Sequence, residues 1–196
     1  MKILITGSNG MLGTDLVYVL KNNKVSLDHN PVFIEAPHEG LDITREDEVS
    51  EFISTHTPNI IVNCAAFTNV DKCETEREAA FNTNALGPKY IATAAKKCGA
   101  RVIHISTDFV FDGNGDRPYV EGDQTNPLSE YGRTKLEGEI NIQSHCNSYL
   151  IIRTSWLFGH NGINFAAKML ELAEHKKELS IVTDEIGSPT YTPDLA

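Results

Sequence analysis

Tyr131 and Lys135 stand four residues apart in the run Tyr131-Gly132-Arg133-Thr134-Lys135. On a helix that spacing places both on one face, so a phenol and an ammonium can point into one site. A free tyrosine titrates near pH ~10, too high for efficient acid or base work at neutrality, and a nearby ammonium lowers that value by favouring the phenolate. With six Tyr and eleven Lys in the chain, roughly 0.3 such pairs arise by chance, so position carries more information than spacing. Ser106-Thr107-Asp108-Phe109-Val110-Phe111 lies upstream, just past a strand and facing the same crevice. A hydroxyl there can hydrogen-bond a reacting carbonyl, although Ser-Thr-Asp after a strand is also ordinary turn chemistry.

A second kind of chemistry is written at the other end of the chain. Gly7-Ser8-Asn9-Gly10-Met11-Leu12-Gly13 separates the first strand from the first helix. Glycines permit the tight turn and let backbone approach a pyrophosphate, which the free N–H groups of the helix N-terminus then hold. The spacing is G-x-x-G-x-x-G, and a tight turn with close helix–strand packing would use the same residues. Some twenty positions on, Glu35 is placed to accept ribose hydroxyls. A carboxylate there would repel a 2′-phosphate and so favours NADH over NADPH. His38 and Asp42 share that stretch, and Asp42-Ile43 could flank an adenine. Asn63-Cys64-Ala65-Ala66-Phe67 is made of small residues that suit a backbone running close to a flat cofactor. Trp156 follows the fifth strand, where either the core or a ligand could claim it.

The elements that must position these residues read as alternating strands and helices. Strands are expected at Lys2–Thr6, Val32–Glu35, Ile60–Asn63, Arg101–Ser106, Tyr149–Thr154 and Leu179–Thr183. They are apolar nearly throughout, as in a parallel sheet covered on both faces. Helices are expected at Met11–Leu20, Glu46–His56, Arg77–Cys98 with a break at Gly87-Pro88, Ser129–Gln143 and Asn164–His175. The second opens on a capping box from Thr44 to Asp47, and the last carries a stripe of Phe165, Met169 and Leu172. This alternation predicts an α/β fold, a doubly wound parallel sheet of Rossmann-like type, with six strands in the order 3-2-1-4-5-6. Asp112–Asn126 reads as a long surface loop, and Gly187–Ala196 as a segment closing into neither helix nor strand.

Composition narrows the classes. The chain has 196 residues, 40% hydrophobic and 22% charged, and can bury a core without disulfides. A net charge of −10 with no basic stripe argues against nucleic acid and against anionic membrane surfaces. No apolar run approaches a membrane span or a signal-peptide core. Cys64, Cys73, Cys98 and Cys146 are widely spaced and suit buried thiols in a reducing cytoplasm. They form no metal-ligand set with histidines, so no metal ligands are assigned.

Together these runs identify a resemblance. The Gly7/Gly10/Gly13 turn, Asn63–Lys72, Ser106–Phe111, Tyr131–Glu139 and Arg153-Thr154-Ser155-Trp156 resemble the extended short-chain dehydrogenase/reductase family, within it the dTDP-4-dehydrorhamnose reductases, along the whole chain. The resemblance implies NADH or NADPH as cofactor, with Mg2+ as an accompanying ion. Its substrate would be a small nucleotide-sugar, its site cytoplasmic and its assembly a homodimer. It gives Tyr131 the role of proton donor, Lys135 that of holding the nicotinamide ribose and depressing the tyrosine, and Thr107 that of binding the reacting oxygen. Cofactor contacts would come from Gly7, Gly10, Met11, Leu12, Gly13, Asp42, Ile43, Ala65, Ala66, Phe67, Ile105, Tyr131 and Lys135, and sugar-nucleotide contacts from Thr107, Asp108 and Trp156.

The implied reaction is reduction of the 4-keto group of dTDP-4-dehydro-6-deoxy-L-mannose to dTDP-L-rhamnose. Two rivals remain. A sugar-nucleotide dehydratase or epimerase of the same family would usually show Thr-Asp-Glu where this chain has Thr107-Asp108-Phe109. A non-catalytic NADP-binding subunit, like the regulatory subunit of methionine adenosyltransferase, would keep the fold without turnover. Residues 1–196 read as a single dinucleotide-binding domain. The family's smaller C-terminal lobe, which begins past the Pro189-Thr190 region, is expected to be absent from this chain.

Overall fold

The computed structural model describes residues 1–22 and 31–196. Five strands, β1 (Lys2–Thr6), β2 (Val32–Ala36), β3 (Ile60–Asn63), β4 (Arg101–Thr107) and β5 (Tyr149–Thr154), form one parallel sheet. Helix α1 (Met11–Asn22) packs Leu16, Val17 and Leu20 on one face, against Ile3, Ile5 and Val62. Helices α2 (Glu46–His56), α5 (Gly87–Cys98) and α6 (Glu130–His145) cover the other face. There Val49, Ile53, Ile91, Ala92, Ala95 and Ile142 meet Leu4, Ile61 and Val102. Burying one Leu or Ile side chain contributes roughly 1.5–3 kcal/mol, so a core filled from both sides fixes the carboxyl ends of the strands firmly.

The strand order is β2-β1-β3-β4-β5, which corrects the expected 3-2-1-4-5-6. The Ile60–Asn63 strand lies inside the sheet, between β1 and β4, rather than at its edge. Burial explains the choice. Ile61 and Asn63 are fully enclosed, and Thr6 donates a 2.6 Å hydrogen bond to Asn63 across β1 and β3. At an edge those groups would face water. The chain therefore leaves β1 toward β2 on one side and returns to β3 on the other, which opens a crevice above β1 and β3 where such sheets take ligands.

The expected sixth strand, Leu179–Thr183, is not a strand, and Ile181 and Val182 are exposed. A β-prone run becomes a strand only where a sheet edge supplies backbone partners. The closing segment differs too: Thr190–Tyr191 (β7) pairs with Leu157–Phe158 (β6), and α8 (Thr192–Leu195) follows. Its anchor is nonlocal, since Thr192 donates to the buried carboxylate of Asp15 on α1 at 2.5 Å. Helix α7 (Phe165–His175) forms with Asn164 as its cap, yet fully buries none of its residues: of the expected stripe Phe165 is exposed, and Met169 and Leu172 are half-buried.

The capping box at Thr44 is also corrected. The N-cap of α2 is Arg45, without a side-chain bond, while Asp42 accepts from both the backbone N–H and the hydroxyl of Thr44. Before Gly87-Pro88, helix α4 (Arg77–Phe81) runs through a π-helical turn, Asn82–Leu86, into α5. Proline has no N–H for the carbonyl four residues back, which favours the wider turn. A short helix, α3 (Val70–Thr75), capped by Asn69, precedes it.

Candidate active site

The glycine turn is built by close approach. Gly7 has φ of +63°, and a Cβ there would lie 2.7 Å from the Ala65 backbone nitrogen. A Cβ at Gly13 would run into the Gly7 carbonyl. Gly10 donates its N–H to that same carbonyl at 3.0 Å, closing the turn into α1. The turn opens on a cavity of about 220 Å³ lined by Gly7, Gly10, Asp42, Ile43, Ala65 and Ala66. Asn9, His38, Leu41, Thr44, Cys64 and Thr83 complete the wall. Of the residues that complete it, His38 and Cys64 lie in stretches already singled out, whereas Thr83 reaches the site because the π-helical turn places it there.

Several expected cofactor residues stand around that cavity without lining it. Met11 and Leu12 form the first turn of α1, where Leu12 is buried. Phe67 is held by Asn84, which accepts from its N–H at 2.8 Å and donates to its carbonyl at 3.0 Å. Glu35 is a correction. Its carboxylate is tied to Lys21 of α1 at 2.5 Å and does not line the cavity. The alternation of β2 buries Ala36 and leaves Glu35 outward. With it goes the ground for excluding a 2′-phosphate.

The second group gathers at the end of β4. Ser129 caps α6 by accepting from the Gly132 N–H at 3.1 Å, so Tyr131 sits in the first turn. Its ring meets Phe109 edge-on with centroids 5.5 Å apart. Burial pushes the phenol up to about 12, partly offset by the adjacent Thr107 hydroxyl, so it keeps its proton at neutral pH. Lys135 is buried, and its ammonium donates to the Ile105 carbonyl at 2.6 Å. Burial brings it down to about 8, against the opposing pull of Glu139 and Cys64.

The expected depression of Tyr131 by Lys135 is therefore overturned. The two share a helical face, but the ammonium is drawn to a strand carbonyl, and desolvation dominates the phenol. Thr107 donates to Asp108 at 3.2 Å and accepts from the Phe109 N–H at 3.2 Å. Trp156 is about 43% exposed, two residues beyond Thr154, the strand partner of Thr107. Its φ of +47° is unusual for a residue with a side chain. Cys64 joins the two groups, since it lines the glycine cavity and its thiol, driven up to about 12 by burial, feels the Lys135 charge.

Among the described residues no cluster of His, Cys, Asp or Glu could hold a metal ion, so the expectation of Mg2+ gains no support from the protein's own side chains. All four cysteines are free thiols. No helix among the described residues is long and apolar enough to cross a membrane.

The sheet, its crevice and the glycine turn define an α/β protein of the Rossmann-like type, with a tyrosine–lysine pair beside the cleft. The chain belongs to the family described as RmlD substrate binding domain, whose model matches residues 1–196. It is 43% identical over 198 residues to the dTDP-4-dehydrorhamnose reductase of Escherichia coli (strain K12), covering 100% of this chain and 64% of that protein. A crystal structure of a dTDP-4-dehydrorhamnose reductase from Clostridium acetobutylicum superposes with a TM-score of 0.94 at 45% identity, covering 100% of this chain and 67% of the other. The reductase of Bacillus anthracis, solved in complex with NADP, gives 0.91 at 39% identity over 99% of this chain and 67% of the other. The chain thus spans about two thirds of the length of the relatives it matches.

Proposed function

We propose that this chain carries the catalytic part of a reductase that converts the 4-keto group of dTDP-4-dehydro-6-deoxy-L-mannose to the alcohol of dTDP-L-rhamnose, using NADPH. The observation that carries the reading is the meeting of Tyr131, Lys135 and Thr107 at the end of β4, beside a cavity floored by Gly7 and Ala65. The E. coli relative bears the name of that reductase.

The cavity would take part of a dinucleotide, with the rest lying along the open crevice. At Gly10 a Cβ would press on the Gly7 carbonyl at 3.2 Å, a tight contact with backbone, so the absence of a side chain there keeps the turn close and leaves room above it. Gly7, Gly10, Met11 and Leu12 would receive the pyrophosphate at the N-terminus of α1. Asp42 and Ile43 would flank the adenine, and Ala65, Ala66 and Phe67 would line the path to the nicotinamide. The choice of NADPH rests on Glu35, whose charge is committed to Lys21, on His38 in the wall, and on the NADP bound by the B. anthracis relative.

When bound, the nicotinamide supplies the hydride that adds to C4 of the sugar. Tyr131 gives its proton to the ketone oxygen as charge develops there, leaving a phenolate to be reprotonated from water. Thr107, turning its one hydroxyl proton from Asp108, donates to that same oxygen and holds it near the phenol. Lys135, steadied on the Ile105 carbonyl, holds the nicotinamide ribose. Asp108 and Trp156 contact the nucleotide-sugar. The test is to mix the chain with NADPH and the keto-sugar and follow nicotinamide absorbance. Oxidation that depends on the sugar is expected. Firm NADPH binding with no turnover, in this chain and in one extended by the relatives' remaining third, would overturn the reading in favour of a binding subunit.

A further inference from the structure

Glu139 lies one helical turn beyond Lys135 and two beyond Tyr131, on the same face of α6. It is 2% exposed. Its carboxylate takes three bonds: Arg153 Nε at 2.9 Å, Arg153 Nη2 at 2.7 Å and the Ser106 hydroxyl at 2.5 Å. Arg153 is on β5 and stacks over the Phe111 ring at 4.9 Å. Ser106 sits between Ile105, whose carbonyl takes Lys135, and Thr107, which lies against Tyr131. Three consecutive residues of β4 thus each meet one of three residues spaced by four along α6.

Packing does not require such a group. An enclosed ion pair is often no more stabilising than apolar residues of the same volume, because desolvation offsets the attraction. Its placement suggests a different use. The groups facing the Lys135 ammonium are Cys64 from the loop after β3, His104 from β4 and Glu139 from α6. Burial keeps both the Cys64 thiol and the His104 ring neutral. Among the described residues that face it, only Glu139 brings charge, and that charge is shared with Arg153.

We propose that Glu139, acting with Arg153, is a positioning residue of this site. It clamps the Tyr131/Lys135 face of α6 onto the end of β4 and brings negative charge into the surroundings of the Lys135 ammonium. The role rests on the proposed reductase reading, in which Lys135 holds the cofactor ribose. Removing the charge leaves the buried ammonium harder to keep, so Lys135 loses its proton at lower pH and the cofactor loses its partner there.

The test compares wild type, Glu139→Gln and the double variant Glu139→Met/Arg153→Met, with circular dichroism as the check on folding. NADPH affinity is titrated by fluorescence across a pH series, and the Lys135 side-chain titration is followed by NMR without cofactor. For Glu139→Gln the proposal expects the upper limb of the pH profile to move down by about one unit, so that affinity falls about twofold at pH 7 and about tenfold at pH 9, with a smaller step in the double variant, which removes the Arg153 charge as well. Lys135 itself should titrate lower by the same step, and Glu139→Asp should recover part of it. A folded variant with the wild-type Lys135 titration would overturn the proposal, as would loss of fold in both variants, which would make the pair purely structural. If wild type fails to bind NADPH at any pH, the reductase reading falls, while the NMR titration still decides whether Glu139 governs Lys135.

Discussion

The two ends of the cleft are built in opposite ways. At the glycine end, Gly7, Gly10 and Gly13 act through what they lack, and seven consecutive residues complete the turn. At the tyrosine end, α6, β4 and β5 contribute side chains that are all buried or half-buried and that hold one another by hydrogen bonds and charge. The first end is a shape made by backbone and is disturbed by added volume, most at Gly7 and Gly13. The second is an electrostatic arrangement that tolerates changes of volume better than changes of charge or proton content.

The sharpest way to test that contrast is at the tyrosine end. Tyr131→Phe keeps the ring against Phe109 and removes one proton. Turnover of the keto-sugar should drop by roughly 10²–10⁴-fold with NADPH affinity unchanged, as read by steady-state kinetics beside fluorescence titration. Near wild-type turnover would remove Tyr131 from the chemistry.

Gly13→Val breaks the other end by volume alone. Its Cβ would collide with the Gly7 carbonyl, which is backbone and cannot step aside. A loss of roughly 3 kcal/mol is expected, which lowers Tm by about 6–12 °C for a chain of this size. Calorimetry reads it directly, and an unchanged Tm would mean that the turn is looser than the geometry indicates.

Gly10→Val separates fold from binding within the glycine end. Its Cβ would press on the Gly7 carbonyl at 3.2 Å, a milder clash than that at Gly13, so Tm should fall less than for Gly13→Val while NADPH affinity falls at least tenfold, or about 1.4 kcal/mol. Equal affinity for the variant would show that the turn is structural only.

The smallest effect is in pH. Lys135 titrates at about 8 because burial disfavours its charge, so the ammonium is half gone there rather than near the ordinary lysine value of 10.5. NADPH affinity should therefore decline several-fold as pH passes upward through about 8. The sign for stability is opposite. Between about 8 and 10.5 the unfolded chain holds a proton that the folded one has released, so stability rises with pH across that window. A flat binding profile would place Lys135 away from the cofactor.

Much of this was legible in residue order. The parallel strands, the helix of Tyr131 and Lys135, and the turn at Gly7 all follow from apolar runs, spacing and caps, which are local properties. Glu35 shows where such reading fails. Its distance from the glycines was right for a ribose ligand, but strand alternation turned its carboxylate toward Lys21. Thr83 shows the converse, because nothing in its neighbours marks it until the π-helical turn carries it to the cavity wall.

Spacing along the chain was enough to dictate a strand–turn–helix that must leave N–H groups free over Gly10, and a helix that must present Tyr131 and Lys135 together. Only the folded structure could decide that Ile60–Asn63 runs inside the sheet, that Lys135 donates to Ile105, and that Glu139 and Arg153 close on Ser106. The reason is range. Backbone preferences act over a few residues and can be read from them, whereas desolvation and charge depend on which distant groups arrive beside a side chain once water has left.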